Sequence, residues 1–238
     1  LTTGLGAAGV AGAAAIAGQA GTIPPDAGAA YGLGATLTYT AHRLLTRNSM
    51  AREFPREGVS TPFANGRPPK DEAFLKHQAA DFADWRVTVD GLVERPMSLS
   101  LADLRGYPSR SQITQLACEE GWSYIAEWKG VPLSHVLNLV GLRPEARYVA
   151  YFSSSPGWWD SLDLADAWHP QTLLALGMNG GELPVPFGGP VRMRVPRQLG
   201  YKSVKYVNRL VAAADLKSFG KGLGSGAPEA GYSWYAGI

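Results

Sequence analysis

With 238 residues, 45% of them hydrophobic, the chain is long enough to bury a core or enclose a cofactor, while 29 glycines and 17 prolines against 18% charged residues argue for a loop-rich fold over a helical bundle. A formal net charge of +2, with no run of Lys and Arg interleaved with aromatics, speaks against nucleic acid as a partner. The single cysteine rules out an internal disulfide and leaves no Cys or His–Cys spacing suited to zinc.

The first charged residue is Asp26, and Leu1 to Gly21 before it is Gly/Ala-rich and only mildly apolar. Residues 1–41 are therefore expected to be an export-signal-like or anchor segment. The weak hydrophobicity suits the twin-arginine route, used by proteins folded around cofactors, and implies a periplasmic protein with membrane association through its N-terminus or a partner. A spanning helix would need about 20 firmly apolar residues, and glycine dilutes this stretch. Residues 42–84 mix charges with prolines, as in Arg52-Glu53-Phe54-Pro55-Arg56, without periodicity, which predicts an extended arm wrapped on a core.

Regular structure is predicted from Trp85. Trp85 to Val89 alternates with period two, Asp90-Gly91 supplies a turn, and Leu92 to Leu99 returns as a second strand. Ser100 with Asp103 opens a short helix, and Leu133 to Val140 forms another, stopped by Gly141. Arg147 to Phe152, Leu173 to Met178, Pro190 to Val195 and Tyr206 to Val211 read as strands, with a turn at Asn179-Gly180. Strands separated by short, irregular helices predict a mixed α+β domain over residues 85–216. The Gly-rich tail, residues 217–238, ends in Tyr232-Ser233-Trp234-Tyr235, suited to docking on the body or on a partner.

Cys118 lies at the end of an apolar stretch, just before Glu119, Glu120 and Gly121, a strand-to-loop exit of the kind that presents functional groups. Its thiolate suits a soft or high-valent metal. As a nucleophile it would need a base, for which His135 and His169 are the candidates. Arg192, Arg194, Arg197, Lys202 and Lys205 fall within fourteen residues, and on a strand Arg192 and Arg194 share a face. They suit a phosphate, or else a solvated strand face. Trp158, Trp159 and Asp160 sit in a Gly/Ser/Pro-rich segment expected to form a loop at a substrate entrance.

Taken in order, Cys118-Glu119-Glu120-Gly121-Trp122-Ser123, Gly130-Val131-Pro132-Leu133, His169-Pro170-Gln171-Thr172, Met178-Asn179-Gly180, Gly189-Pro190-Val191-Arg192 and Gly200-Tyr201-Lys202-Ser203-Val204-Lys205 resemble the sulfite oxidase family of molybdopterin oxidoreductases, and within it the small bacterial branch that includes a periplasmic methionine sulfoxide reductase. The resemblance runs from about Trp85 to Ala213. It implies an α+β, sulfite-oxidase-type molybdopterin-binding fold of mixed β-sheets with short helices around one molybdenum-molybdopterin (Mo-MPT), with Cys118 as the metal ligand. It further implies that Arg192 grips the cofactor phosphate, that Ser203, Val204 and Lys205 form a loop against it, and that Ser153, Asn65 and His169 also reach the cofactor. Phe187 stands where relatives usually carry Asn or His, and Leu116 where many carry an arginine, which weakens the case for sulfite as substrate.

The activity so implied is oxygen-atom transfer on a small sulfur or nitrogen oxo compound of sulfite or sulfoxide type. With no Cys-x-x-Cys-His for haem, electrons pass to or from a membrane cytochrome or a soluble carrier. The rival readings are a cysteine-dependent hydrolase or transferase, and an exported binding module with a degenerate cofactor site.

Overall fold

The computed structural model describes residues 23–28 and 32–238. The export-signal-like stretch, residues 1–21, lies outside the described residues. The chain divides into two compact units, one containing the described residues up to Ser49 together with Leu216–Gly237, the other Met50–Asp215 with Ile238.

In the first unit, helix α1 (Gly32–Leu45) presents Tyr39 edge-on to Trp234 and Tyr235, with ring centroids 5.8 and 5.2 Å away. The Arg43 guanidinium lies over the Tyr39 and Tyr235 rings at 5.1 and 4.7 Å. The backbone N–H of Trp234 donates to the Asp26 carboxylate at 2.8 Å. The aromatic tail thus docks on a helix of its own chain. Among the described residues no helix is long and apolar enough to cross a membrane.

The second unit carries helix α2 (Glu72–Ala79), strands β1 (Arg86–Gly91) and β2 (Met97–Ser100), helix α3 (Leu101–Gly106), strands β3 (Arg110–Ala117) and β4 (Ser123–Pro132) and helix α4 (Leu133–Val140). Strands β5 (Tyr148–Ser153) and β6 (Trp159–Asp163), helix α5 (Leu164–Ala167) and strands β7 (Leu173–Met178), β8 (Gly181–Glu182), β9 (Arg192–Arg194) and β10 (Val207–Ala213) follow. Among the described residues these strands make two sheets. One has the order β2-β1-β10-β5-β6 and the other β3-β4-β7-β8, with β9 also paired to β7. Among the described strands only β1 and β10 pair in parallel, Thr88 opposite Arg209. Mixed sheets with short helices are the α+β architecture expected.

The local reasons for several elements match the sequence. Ser100 accepts from the Asp103 N–H at 3.0 Å while Asp103 accepts from the Ser100 N–H at 2.8 Å, a reciprocal cap. Gly141 ends α4 at φ +68°. Asn179 and Gly180, both at positive φ, close the two-residue hairpin between β7 and β8.

Other expectations are corrected. The strand predicted over Leu92 to Leu99 begins only at Met97, because Gly91 turns at φ +86° and Pro96 lacks an N–H for the ladder. The predicted extended arm contains α2, capped by Asp71, and a 3-10 turn at Arg56–Gly58. Within α2 only Phe74 is buried, against Phe82, Trp85 and Tyr206, so no periodic apolar stripe existed to be read. The Trp159-Asp160 segment belongs to strand β6, not to a loop.

Strand alternation sorts the second sheet into two faces. Val131, Leu174 and Met193 join the main core, which also takes Val87, Val89, Val149 and Leu210 from the first sheet. The other face carries Leu116, Tyr124, Trp128 and Ala175, a smaller apolar cluster. Arg192 and Arg194 flank Met193 and so project on that second face, over the Trp128 ring.

Candidate active site

Cys118 follows the last residue of β3 and is fixed by a tight turn. Its N–H donates to Trp122 O at 2.9 Å and its carbonyl accepts from Gly121 N–H at 3.1 Å, with Gly121 at φ +92°. The thiol is buried and donates to Glu119 Oε2 at 3.2 Å. Burial, offset in part by the Glu120 backbone and reinforced by the Glu119 and Glu120 carboxylates, pushes its pKa up to about 11. A cysteine nucleophile requires the opposite shift and a base at the sulfur. Here the sulfur meets carboxylates, and the His135 ring lies tilted against Tyr107 with centroids 5.1 Å apart. The arrangement disfavours the hydrolase reading.

The C-terminal loop approaches Cys118 from the other side. A Cβ on Gly200 would lie 3.1 Å from Leu116 Cδ2 and 3.6 Å from Cys118 Cα, so the 3-10 turn Gly200–Lys202 rests against the cysteine backbone. Ser203 and Val204 are tied to β9: Ser203 O accepts from Arg192 Nε at 2.9 Å, Ser203 Oγ from Val195 N–H at 3.2 Å, and Val204 O from Met193 N–H at 2.9 Å. The backbone N–H groups of Val204 and Lys205 have no acceptor among the described residues.

Asn65 closes the circle. Its side chain donates to Glu120 Oε2 at 3.0 Å, the carboxylate that also accepts from Trp122 Nε1 at 2.8 Å, while its carbonyl accepts from Lys205 Nζ at 2.5 Å. Lys205 Nζ also donates to Pro186 O at 2.6 Å. Of the residues singled out from the sequence, Cys118, Asn65, Arg192, Ser203, Val204 and Lys205 thus form one connected set. Ser153 sits at the end of β5, where its hydroxyl accepts from Ser155 N–H at 3.0 Å. The hydroxyl of the next residue, Ser154, is buried without a partner among the described residues, and the Ser154 N–H donates to Tyr206 O at 2.9 Å. His169 holds the turn before β7: its Nδ1 accepts from Gln171 N–H at 3.2 Å and its carbonyl from Thr172 N–H at 2.9 Å. That turn leads into the strand that registers Arg192 opposite Ala175 and Arg194 opposite Leu173.

The five cations separate by partner. Arg197 pairs with Asp166 at 3.2 Å and Lys202 with Asp160 at 2.6 Å, both pairs buried. Arg192, Arg194 and Lys205 have no carboxylate partner among the described residues. Arg192 is 5% exposed and donates to the carbonyls of Ser203 and Phe187. Arg194 is fully buried, and its Nη2 donates to Thr114 Oγ1 at 3.0 Å and Gln115 O at 2.5 Å, while Nε and Nη1 find no acceptor. An unmet buried donor costs about 1–3 kcal/mol, more when charged, a cost that an anion bound there would offset. In the sequence, Arg194 stands one strand period from Arg192, on the face where the two can converge on one anion, with a solvated strand face as the alternative; burial excludes the solvated face.

Burial, then Arg192, brings the Lys205 pKa from 10.5 down to about 8. The unfolded lysine keeps a proton that the folded one has released, so the stability of the ligand-free protein should rise with pH between about 8 and about 9. Above that window Cys118, shifted the other way, opposes the trend. Urea midpoints across this range check the slope, which Lys205→Met should flatten. Among the described residues no group of three or more His, Cys, Asp or Glu side chains could hold a metal. A metal at Cys118 would take its remaining ligands from a bound group.

The family described as "Oxidoreductase molybdopterin binding domain" matches residues 75–218. The chain is 35% identical over 194 residues to the Azospira oryzae relative named "Putative protein-methionine-sulfoxide reductase subunit YedZ1", covering 82% of this chain and 70% of that one. It is 39% identical over 138 residues to the protein-methionine-sulfoxide reductase catalytic subunit MsrP of Xanthomonas axonopodis, covering 52% of this chain and 43% of the relative. The crystal structure of the sulfane dehydrogenase SoxCD from Paracoccus pantotrophus superposes with a TM-score of 0.54 at 26% identity, covering 56% of this chain and 39% of that one. The chain therefore spans less than half the length of the MsrP and SoxCD proteins it matches.

Proposed function

The chain belongs to the family of oxidoreductases with a molybdopterin-binding domain, and from that premise we propose that it carries out oxygen-atom transfer on a sulfoxide-type substrate, with Cys118 as the protein's ligand to molybdenum. When bound, Mo-MPT supplies the oxygen transfer and the two-electron change. The chain's residues bind and orient it.

One observation carries the reading: the Cys118 turn and the Arg192–Lys205 region meet through Asn65, so a thiol and an unpaired cationic wall face one site. Arg192 and Lys205, with the free N–H groups of Val204 and Lys205, fit the phosphate of a pterin. Ser203 fixes Arg192 through its carbonyl, Ser153 and Ser154 border the same region beside Tyr206, and His169 acts through the turn that sets the register of β9. Leu116, buried in the apolar cluster, offers no charge to sulfite, which favours a neutral sulfoxide such as that in the relatives' names. Electrons come from a separate carrier, a membrane cytochrome or a soluble protein, and the N-terminal stretch supports export to the periplasm by the twin-arginine route.

Purified from a host that makes molybdopterin, the chain should hold about one pterin and one molybdenum, and should oxidise a reduced dye with methionine sulfoxide faster than with an N-oxide. Protein with neither pterin nor molybdenum would sink the proposal.

A further inference from the structure

Two guanidinium groups share one buried face without a carboxylate. The Arg192 and Arg194 Cζ atoms lie 5.4 and 5.3 Å from the Trp128 ring centroid, and the two residues are 5% and 0% exposed. Their neighbours Arg197 and Lys202 each reach a buried aspartate, so lone buried charge is not the habit of this segment. Arg194 is held in place from one side only, by Thr114 and Gln115 of β3, and keeps two buried donors unspent. Like charges in a common low-dielectric site raise each other's cost, and burial together with Arg192 brings the Arg194 pKa down to about 9. A methyl-rich side chain would fill the same space without that penalty, unless an anion offsets it.

We propose that Arg194 is a second cofactor-binding arginine, whose Nε and Nη1 donate, together with Arg192, to the phosphate of the bound molybdopterin. The inference rests on the molybdopterin reading above and adds to it a paired guanidinium clamp where the resemblance supplies a single arginine. Thr114 and Gln115 aim the second fork, and their strand ends at Cys118, so one strand would anchor both the phosphate and the metal end of the cofactor.

The test uses the full chain as purified with its cofactor. In Arg194→Met, pterin should be lost on dilution about tenfold faster than from the parent protein, equivalent to about 1.4 kcal/mol if association is unchanged. The thermal-midpoint gap between cofactor-loaded and cofactor-free protein should also shrink. Arg194→Lys, which keeps the charge but not the fork, should fall between the two. Thr114→Val, which removes one of the two anchors that aim the fork and leaves Gln115 O, should speed pterin loss less than Arg194→Met does. Parent-like pterin loss in Arg194→Met, or an equal shift of both midpoints, would make Arg194 a strand clamp alone and overturn the inference. Should Arg194→Met fail to fold, Arg194→Lys with parent-like pterin loss overturns it. Parent protein devoid of pterin would overturn the molybdopterin reading itself, a result distinct from parent protein that holds pterin while the Arg194 variants are unaffected.

Discussion

Cys118→Ser is expected to lower sulfoxide turnover by more than about a thousandfold, about 4 kcal/mol of transition-state stabilisation, while leaving a folded chain. The fold tolerates the change because the two side chains are close in size and a serine hydroxyl can replace the thiol as donor to Glu119. Neither the Cys118 turn nor its contact with Gly200 uses the sulfur. The metal does not tolerate it: a hydroxyl is a hard, weakly acidic ligand where a thiolate is soft. Pterin should stay, because the residues proposed for its phosphate make none of their hydrogen bonds through Cys118. Turnover, pterin content and molybdenum content of the same preparation separate these outcomes. Parent-level turnover would remove the ligand role.

Lys202→Met should cost about 3–5 kcal/mol of folding stability, because it strands Asp160 in the interior. The ammonium lies 2.6 Å from Asp160 Oδ1 and 3.0 Å from Ser161 O, and the two side chains are 0% and 2% exposed. Tyr151 fastens the same turn by donating to Lys202 O at 2.8 Å. Against a typical total of roughly 5–15 kcal/mol, such a loss is large. The pair also ties the turn Gly200–Lys202 to β6 immediately before Ser203–Lys205, so pterin retention should fall with stability. Adding Asp160→Asn should recover part of the loss by removing the unpaired charge. The exposed pair Arg209–Asp90, at 2.9 Å, is a control: Arg209→Met should cost under about 1 kcal/mol. Urea midpoints at constant slope measure all three, and a loss below about 1 kcal/mol for Lys202→Met would refute the buried-pair argument.

Elements with local punctuation were legible in the residues. The Ser100/Asp103 cap, the Gly141 stop and the Asn179-Gly180 turn all appear where the chain order placed them, because each needs only residues within one turn. The hairpin of β3 and β4 was less legible. On β3 the inward positions before Leu116 are Gln112 and Thr114, polar residues whose burial depends on Gln171 and Arg194 far along the chain. Helix α2 escaped notice for the related reason that a single phenylalanine fixes it. Trp159-Asp160 looked like an entrance loop because Lys202, its partner across the core, is 42 residues away from Asp160.

By itself the sequence determined that one thiol stands at a strand exit, that a Gly-x-Pro-x-Arg turn and a Ser-Val-Lys loop follow it, and that these in order carry the family resemblance. The resemblance assigned Arg192 and Lys205 to the cofactor, but the residues alone did not divide the five neighbouring cations by partner. Only the tertiary structure divided them, giving Arg197 and Lys202 to aspartates and leaving Arg192, Arg194 and Lys205 without one. Alternation along a strand is a local property, legible in the residues, whereas a charge partner is chosen by which distant side chains the folded sheets bring within about 4 Å, where burial makes the pairing strong.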